Sequence, residues 1–386
     1  MLLFRIKLFI VLISFLSISA CSLIENTLIY SQPVKPEPSL SSEFQLVESI
    51  FIDVIIPKHE QLNDDLNALS EQADRFCIQP NDEQFNRLQH SWRLAMSSWS
   101  NIGSINFGPI DDTNAAWRFQ FWPDPLNYVH RKFQSRLSGS NPAISREELS
   151  EASVAIQGLS ALEYLLFEAF QYDYEYYLEE LHLCKILTGT ARNLAEEAKK
   201  LLVLWQGNYQ TNWLNPTKDT SDKGFSKRHL EIIFNGMLTN LLVLKDRKLA
   251  GPLGLKVEEK NQLSSGNRGR IKPKYLESWR SKTSLENIRT NLQAMEALYI
   301  MPNGFAWYLT HQTKNLELDA RIRQLFSRLN ARLEFFEASA YEQLMSSNVS
   351  YLEPLHEDVN ELFSTLRFDY MQALNLQFRF NSHDGD

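Results

Sequence analysis

Gln157-Gly-Leu-Ser-Ala-Leu-Glu-Tyr-Leu-Leu-Phe167 sets one acidic residue where an amphipathic helix should be apolar. With the residues before it, Ala152, Ile156, Leu159, Leu162 and Leu166 fall at the three- and four-residue spacing of a stripe that a helix turns towards a core. Glu163 lies inside that stripe, so a straight helix aims its carboxylate inward, with Ser160 one turn behind on nearly the same side. A carboxylate in that position needs a cation, hydrogen bonds or a metal ion.

The rest of the chain argues for helices as well. A length of 386 residues with 44% hydrophobic side chains is enough for one large or two ordinary domains, and 14 Gly with 14 Pro are too few for a loop-rich β protein. Hydrophobic periodicity predicts a long helix over 43–76, kinked near Pro57, and a second over 82–100 with Trp92, Met96 and Trp99 on one face. Residues 106–125 break the period at Gly108, Pro109, Pro123 and Pro125, yet their density of Phe and Trp predicts a segment packed on the bundle. Further helices are expected over 175–205, 226–248, 275–299, 319–337 and 354–375, with an exposed loop over 258–273. No strand pattern persists. A polar stretch at 212–224 marks the junction between an N-terminal domain, 43–215, and a C-terminal domain, 216–386. The halves echo each other weakly, Leu159 to Leu165 in Leu292 to Leu298 and Gly108-Pro109 in Gly251-Pro252.

The N-terminus reads as a targeting signal. Arg5 and Lys7 precede an apolar run over 8–16, followed by small residues up to Cys21. The cysteine in that position resembles a lipobox, which implies removal of residues 1–20 and lipidation of Cys21; an ordinary signal peptide before an unrelated cysteine is the alternative. Residues 22–42, with Pro33, Pro36 and Pro38, then form a tether. Loss of the signal takes the net charge from −8 to −10. An acidic chain without a basic run argues against nucleic acid as a partner and leaves lipid, not charge, as the membrane contact. Ser22 is not the aspartate of inner-membrane retention, so similarity to sorted lipoproteins implies an outer-membrane anchor facing the periplasm. Cys77 and Cys184 are either a disulfide, which that compartment permits, or two buried thiols.

The 157–167 stretch resembles the signature segment of the imelysin-like proteins, centred on Gly-x-His-x-x-Glu: Gly158 and Glu163 match, and Ser160 stands at the histidine. It is most similar to the lipoprotein branch of that family, where this histidine is commonly lacking. Phe107-Gly-Pro109, the FWPD run Phe121–Asp124, the WRSKTSL run Trp279–Leu285 and the C-terminal FNSHDGD run Phe380–Asp386 agree, so the resemblance spans nearly all of the mature chain. It implies an all-α fold of two helical bundles about a pseudo-twofold, with the motif at the crevice between them. It also implies a place in iron uptake or metal homeostasis, with an iron-uptake component or a small ligand as partner. The residues so marked for ligand binding are Gly158, Ser160, Glu163, Arg118, Trp122, Asp124, Arg280, Ser281, Asp384 and Asp386.

The chemistry legible in these residues is thin. A histidine and a glutamate three apart on one helix can share a metal such as iron, but serine is a poor ligand. No HExxH replaces the histidine, and Ser160 has no base nearby in sequence. Iron or another divalent metal is the cofactor such a site would take, though none is required. His130 is read as either a crevice residue or a satisfied helical histidine, and His356, with Glu353, as a surface pair beside Pro354. The 381–386 tail carries oxygen ligands suited to Ca²⁺, or is frayed. Glu163 is expected to be ionised and held by Arg118 or Arg280. The sequence therefore favours a lipid-anchored, non-enzymatic binding protein, with a metal-dependent peptidase of the imelysin type as the alternative.

Overall fold

The computed structural model describes residues 41–137, 148–149, 151–169, 182–215, 222–255 and 269–378. Cys21, residues 22–40 of the expected tether, the 258–268 part of the expected loop, Asp384 and Asp386 lie outside them; the last two tether positions, Ser41 and Ser42, instead cap and open the first helix. Among the described residues every regular element is helical, as the composition implies.

The chain enters through α1 (Ser42–Ile50), capped by the Ser41 hydroxyl, which accepts from the Phe44 N–H. Helix α1 runs without a break through a π-helical stretch, Phe51–Ile55, into α2 (Ile56–Ile78). The irregularity lies just before Pro57, whose ring cannot coexist with an ordinary α-helical bond at that point. Next comes α3 (Asp82–Asn101), where the Asn81 side chain accepts from the Gln84 N–H and Phe85, Leu88, Trp92, Ala95 and Met96 form the buried face. The proline-rich segment holds two short helices, α4 (Pro109–Asp112) and α5 (Ala116–Phe119). Helices α6 (Tyr128–Leu137) and α7 (Gly158–Tyr164) follow; α7 continues as a π stretch, Leu165–Ala169. Helix α8 (His182–Leu204) lies against α2, and α2 in turn against α3. A disulfide between Cys77, at the end of α2, and Cys184, in the first turn of α8, spans 107 residues of chain.

After α9 (Gln210–Leu214), the second half consists of α10 (Asp222–Leu242) with a π extension, Val243–Ala250, then α11 (Gly251–Leu253), α12 (Ser284–Ile300), α13 (Phe305–Thr313) and α14 (Leu316–Glu334). It closes with α15 (Ala340–Met345), α16 (Leu352–Ser364), a π stretch, Thr365–Tyr370, and α17 (Met371–Leu374). Helix α14 packs between α12 and α16, and α10 with its extension packs on α16. The halves also pack on one another, α1 on α10 and α3 on α12, within a single compact unit, Leu40–Asp386.

Two sequence expectations need correction here. The helix expected from residue 275 begins only at Ser284: 276–283 is a chain of turns with Ser278 and Lys282 at positive φ, and this irregular backbone turns an N–H towards Glu163. His356 is not a surface residue: it is only 3% exposed, because the first turn of α16 is itself buried through Leu352 and Leu355. Of the paired glycine-proline steps, Gly108 has left-handed φ of 68° while Gly251 is right-handed at −57°, although each proline opens a short helix.

Candidate functional site

Glycine at 158 is required by its surroundings. Its φ is +77°, and a Cβ there would lie 2.5 Å from the Phe119 carbonyl oxygen and 2.6 Å from that of Arg118. The backbone of α5 thus presses directly on the first residue of α7. Two residues on, Ser160 Oγ donates to the Phe121 carbonyl at 3.0 Å, tying the same helix to the aromatic segment.

Glu163 is buried, 4% exposed, as the periodicity predicts. Its Oε1 accepts from the backbone N–H and from the hydroxyl of Ser281, both at 2.9 Å. Burial pushes the Glu163 carboxyl above its ordinary range, opposed by the Arg280 guanidinium and by the Ser281 bonds. The expected arginine partner is absent. Arg118 Nε instead donates to Glu197 Oε2 on α8 at 2.8 Å, and Glu197 also takes Lys200 Nζ at 2.6 Å. Arg280 is buried, but donates to Glu168 and, at 2.7 Å, to Asn127 Oδ1. Its guanidinium lies 4.4 Å from the Trp279 ring and 5.7 Å from that of Tyr164. Arg280 therefore reaches Glu163 through its field and its backbone, not through a direct ion pair.

Glu168 owes this role to the π stretch. On an α-helix, residues five apart point roughly 140° away from each other; the i→i+5 bonding of Leu165–Ala169 widens the turn and carries Glu168 round to the side of Glu163. His130 Nδ1 stands 3.3 Å from Glu168 Oε1, with its ring edge-on to Tyr164, so His130 belongs to this network. Asp124 serves the backbone: its two oxygens accept from the N–H groups of Tyr128 and Val129 at 2.6 and 3.0 Å, capping α6.

The space left at the motif is about 10 Å³, bounded by Ser160, Glu163, Trp122 and Arg280 among others. That is room for about one water molecule. Nor do the residues suit a metal ion. The Ser160 hydroxyl is committed to Phe121, Glu163 Oε1 to Ser281, and among the described residues no group of three His, Cys, Asp or Glu is placed to hold one.

A much larger cavity, about 220 Å³, opens on the other side of Trp122, between the two halves. Trp99, Trp117 and Gln120 line it from the first half, and Asn240, Arg247 and Lys248 from the second. Trp122 and Gln120 border both spaces. At the base of this cavity sits a buried ion pair that the sequence reading missed: Lys248 Nζ contacts Glu277 Oε2 at 2.6 Å and Asn291 Oδ1 at 2.7 Å. Asn287 supplies a further donor to Glu277 at 3.1 Å. A signal for it existed. Met237, Leu241, Leu244 and Lys248 run at four, three and four residues, so Lys248 interrupts an apolar stripe just as Glu163 does.

The buried motif, its glycine contact and its all-helical setting agree with comparisons to known proteins. Residues 55–363 match the Imelysin family, Peptidase M75. An imelysin-like protein from Psychrobacter arcticum 273-4 superposes with a TM-score of 0.71 at 18% identity, over 88% of this chain and 97% of that one. A candidate iron-regulated protein A precursor from Parabacteroides distasonis ATCC 8503 gives 0.68 at 14% identity, over the same shares. At these identities the two structures speak to fold alone. No curated protein matches the chain. With its family match spanning most of its length and its signature glycine and glutamate placed where α5, α7 and the 276–283 turns meet, the chain belongs to the imelysin family.

Proposed function

We propose that this chain is a lipid-anchored, periplasm-facing binding protein that serves iron uptake or metal homeostasis, holding its ligand in the crevice between its halves without hydrolysing peptides. The observation that carries this reading is the contrast between the two spaces. At the motif, Glu163 is bonded to Ser281 in a volume of about 10 Å³, too small for a peptide bond to enter, while a cavity of about 220 Å³ lies beside it. Acyl transfer needs an activated nucleophile or a polarising ion beside the scissile carbonyl; here the Ser160 hydroxyl donates to a carbonyl and has no base among its hydrogen-bond partners. The iron association draws on the family and on the iron-regulated description of one structural neighbour. The anchor draws on Cys21 and the apolar run before it; no described helix is long and apolar enough to cross a membrane.

The test is metal analysis and a peptide-hydrolysis assay on the purified mature chain, beside Glu163→Gln. The expected result is no stoichiometric metal in either protein and no hydrolysis. Zinc or iron bound one to one, and lost together with a peptidase activity in Glu163→Gln, would replace this reading with the metal-dependent peptidase.

A further inference from the structure

The large cavity has the marks of a built site. Ser100, Asn106 and Asn240 line it, and Ser100 Oγ, Asn106 Oδ1 and Asn240 Nδ2 are buried atoms with no hydrogen-bond partner among the described residues. Ser100 is 3% exposed and Asn240 is 5% exposed. These atoms lie just behind the lining, with almost no accessible surface of their own, so a ligand meets the aromatic rings and the charged groups of the wall. Asn106 is held by its Nδ2, which donates to the carbonyls of Gly103 and Gly236 at 3.2 and 2.9 Å.

The charges of the wall differ in their pairing. Lys248 is neutralised by Glu277 at 2.6 Å; Asp111 is the other carboxylate of the wall, and its neighbour Asp112 takes the Tyr209 hydroxyl. Arg247 has no carboxylate within ion-pair distance among the described residues and is half-buried at the cavity wall. A guanidinium offers its donors in a fork that matches a carboxylate. The apolar wall is flat and held in place: Trp99 stacks on Phe119 at 4.8 Å and donates to Gln120 Oε1 at 2.7 Å, and Trp122 donates to the Tyr275 carbonyl at 3.2 Å. A cavity of about 150 Å³ suffices for benzene, so this one, about 220 Å³, has room for a single ring with substituents.

We propose that this cavity binds a small aromatic carboxylate: the acid on Arg247 and the ring against the indoles of Trp99 and Trp122. The inference rests on the binding-protein reading above and supplies its ligand class. It also assigns the site to the far side of Trp122 from Glu163.

The probes are 4-hydroxybenzoate and its uncharged analogue 4-hydroxybenzamide, titrated by calorimetry and tryptophan fluorescence into the full mature chain, Arg247→Gln and Val243→Trp. The acid should bind the wild type, and the amide should bind about tenfold or more weakly, since a charged hydrogen bond is worth roughly twice a neutral one. Arg247→Gln should bring the acid down to the level of the amide with its circular dichroism unchanged, because Arg247 supports no ion pair among the described residues. Val243→Trp, which puts an indole into the cavity, should abolish both. Equal binding of acid and amide, unaltered acid binding in Arg247→Gln, or no binding of the acid up to millimolar concentration would each overturn the ligand class. Equal binding that Val243→Trp removes would leave the binding-protein reading standing. Peptide hydrolysis lost in Glu163→Gln would instead remove that reading while leaving the acid titration to be judged on its own.

Discussion

Gly158→Ala should be among the most damaging single-methyl additions in the chain. Alanine in a left-handed backbone costs roughly 1–2 kcal/mol, and φ at Gly158 is +77°. The added carbon would also stand 2.5 Å from the Phe119 oxygen, 2.6 Å from the Arg118 oxygen and 2.9 Å from the Phe119 carbonyl carbon. All three are backbone atoms of α5, so no side-chain rotation relieves the overlap; either α5 or α7 must shift, at about 1–3 kcal/mol for overpacking. The two contributions give about 2–5 kcal/mol of lost stability. The assay is urea unfolding followed by far-ultraviolet circular dichroism, with Gly189→Ala as the control. Gly189 sits inside α8, where a Cβ would meet Leu149 Cδ2 at an ordinary 3.4 Å; removing the entropy of a mid-helix glycine should stabilise by roughly 0.5–1 kcal/mol. The Gly158→Ala midpoint should fall well below the wild type and the Gly189→Ala midpoint should rise slightly, both at unchanged slope. A Gly158→Ala midpoint equal to that of the wild type would refute the steric account of this motif glycine.

Four further outcomes can be checked. Because burial raises the folded-state value of Glu163 above the unfolded one, its contribution is fully present at low pH and is lost as pH rises through the folded value. Glu163→Gln should therefore lag the wild type most in acid, and urea midpoints of the two should converge as pH rises. His59, whose Nδ1–H donates to Ile55 and whose Nε2 accepts from Trp205, and the buried His356 are both depressed to about 4. Each should cost stability as pH falls from about 6.5 towards 4, on the order of 3 kcal/mol at the limit, and His356→Leu should flatten the acid limb of stability against pH. Denatured, unreduced protein should titrate no free thiol from Cys77 or Cys184, and reduction of this 107-residue link should cost about 2–4 kcal/mol by unfolding calorimetry. Cys21→Ser should leave the protein in the soluble or precursor fraction; membrane retention of fully processed Cys21→Ser protein would contradict the anchor.

Where apolar spacing alone decides a helix, the sequence was readable. Helix α3 and the 42–78 rod come from strict three- and four-residue stripes, and the inward aim of Glu163 follows from the same rule. Partner choice was not readable, since it depends on elements far apart in the chain. Arg118 finds Glu197 because α5 lies on α8. Ser281 finds Glu163 because 276–283 leaves the helical path that its apolar residues suggest. The burial of His356 was hidden by Pro354, which reads as a helix start and hence as surface, although that start is itself covered. The unpartnered atoms of the large cavity leave no trace in spacing at all. Ser100, Asn106 and Asn240 are unremarkable in sequence until the halves are packed together.

The π stretch Leu165–Ala169 bears on how such a chain tolerates gain or loss of a residue over its descent. In a helix packed on several sides, one residue more or less turns everything beyond it by about 100° and scrambles every later contact. A π turn is the one place where such a change can be absorbed with the helix intact. The change would not be silent: shortened by one residue, Leu165–Ala169 would close into an ordinary α turn and swing Glu168 away from Arg280. The length of this segment and the arginine after Trp279 are therefore coupled characters. Relatives that lack the extra residue should also lack the arginine, or should offer it another acid from a different helix.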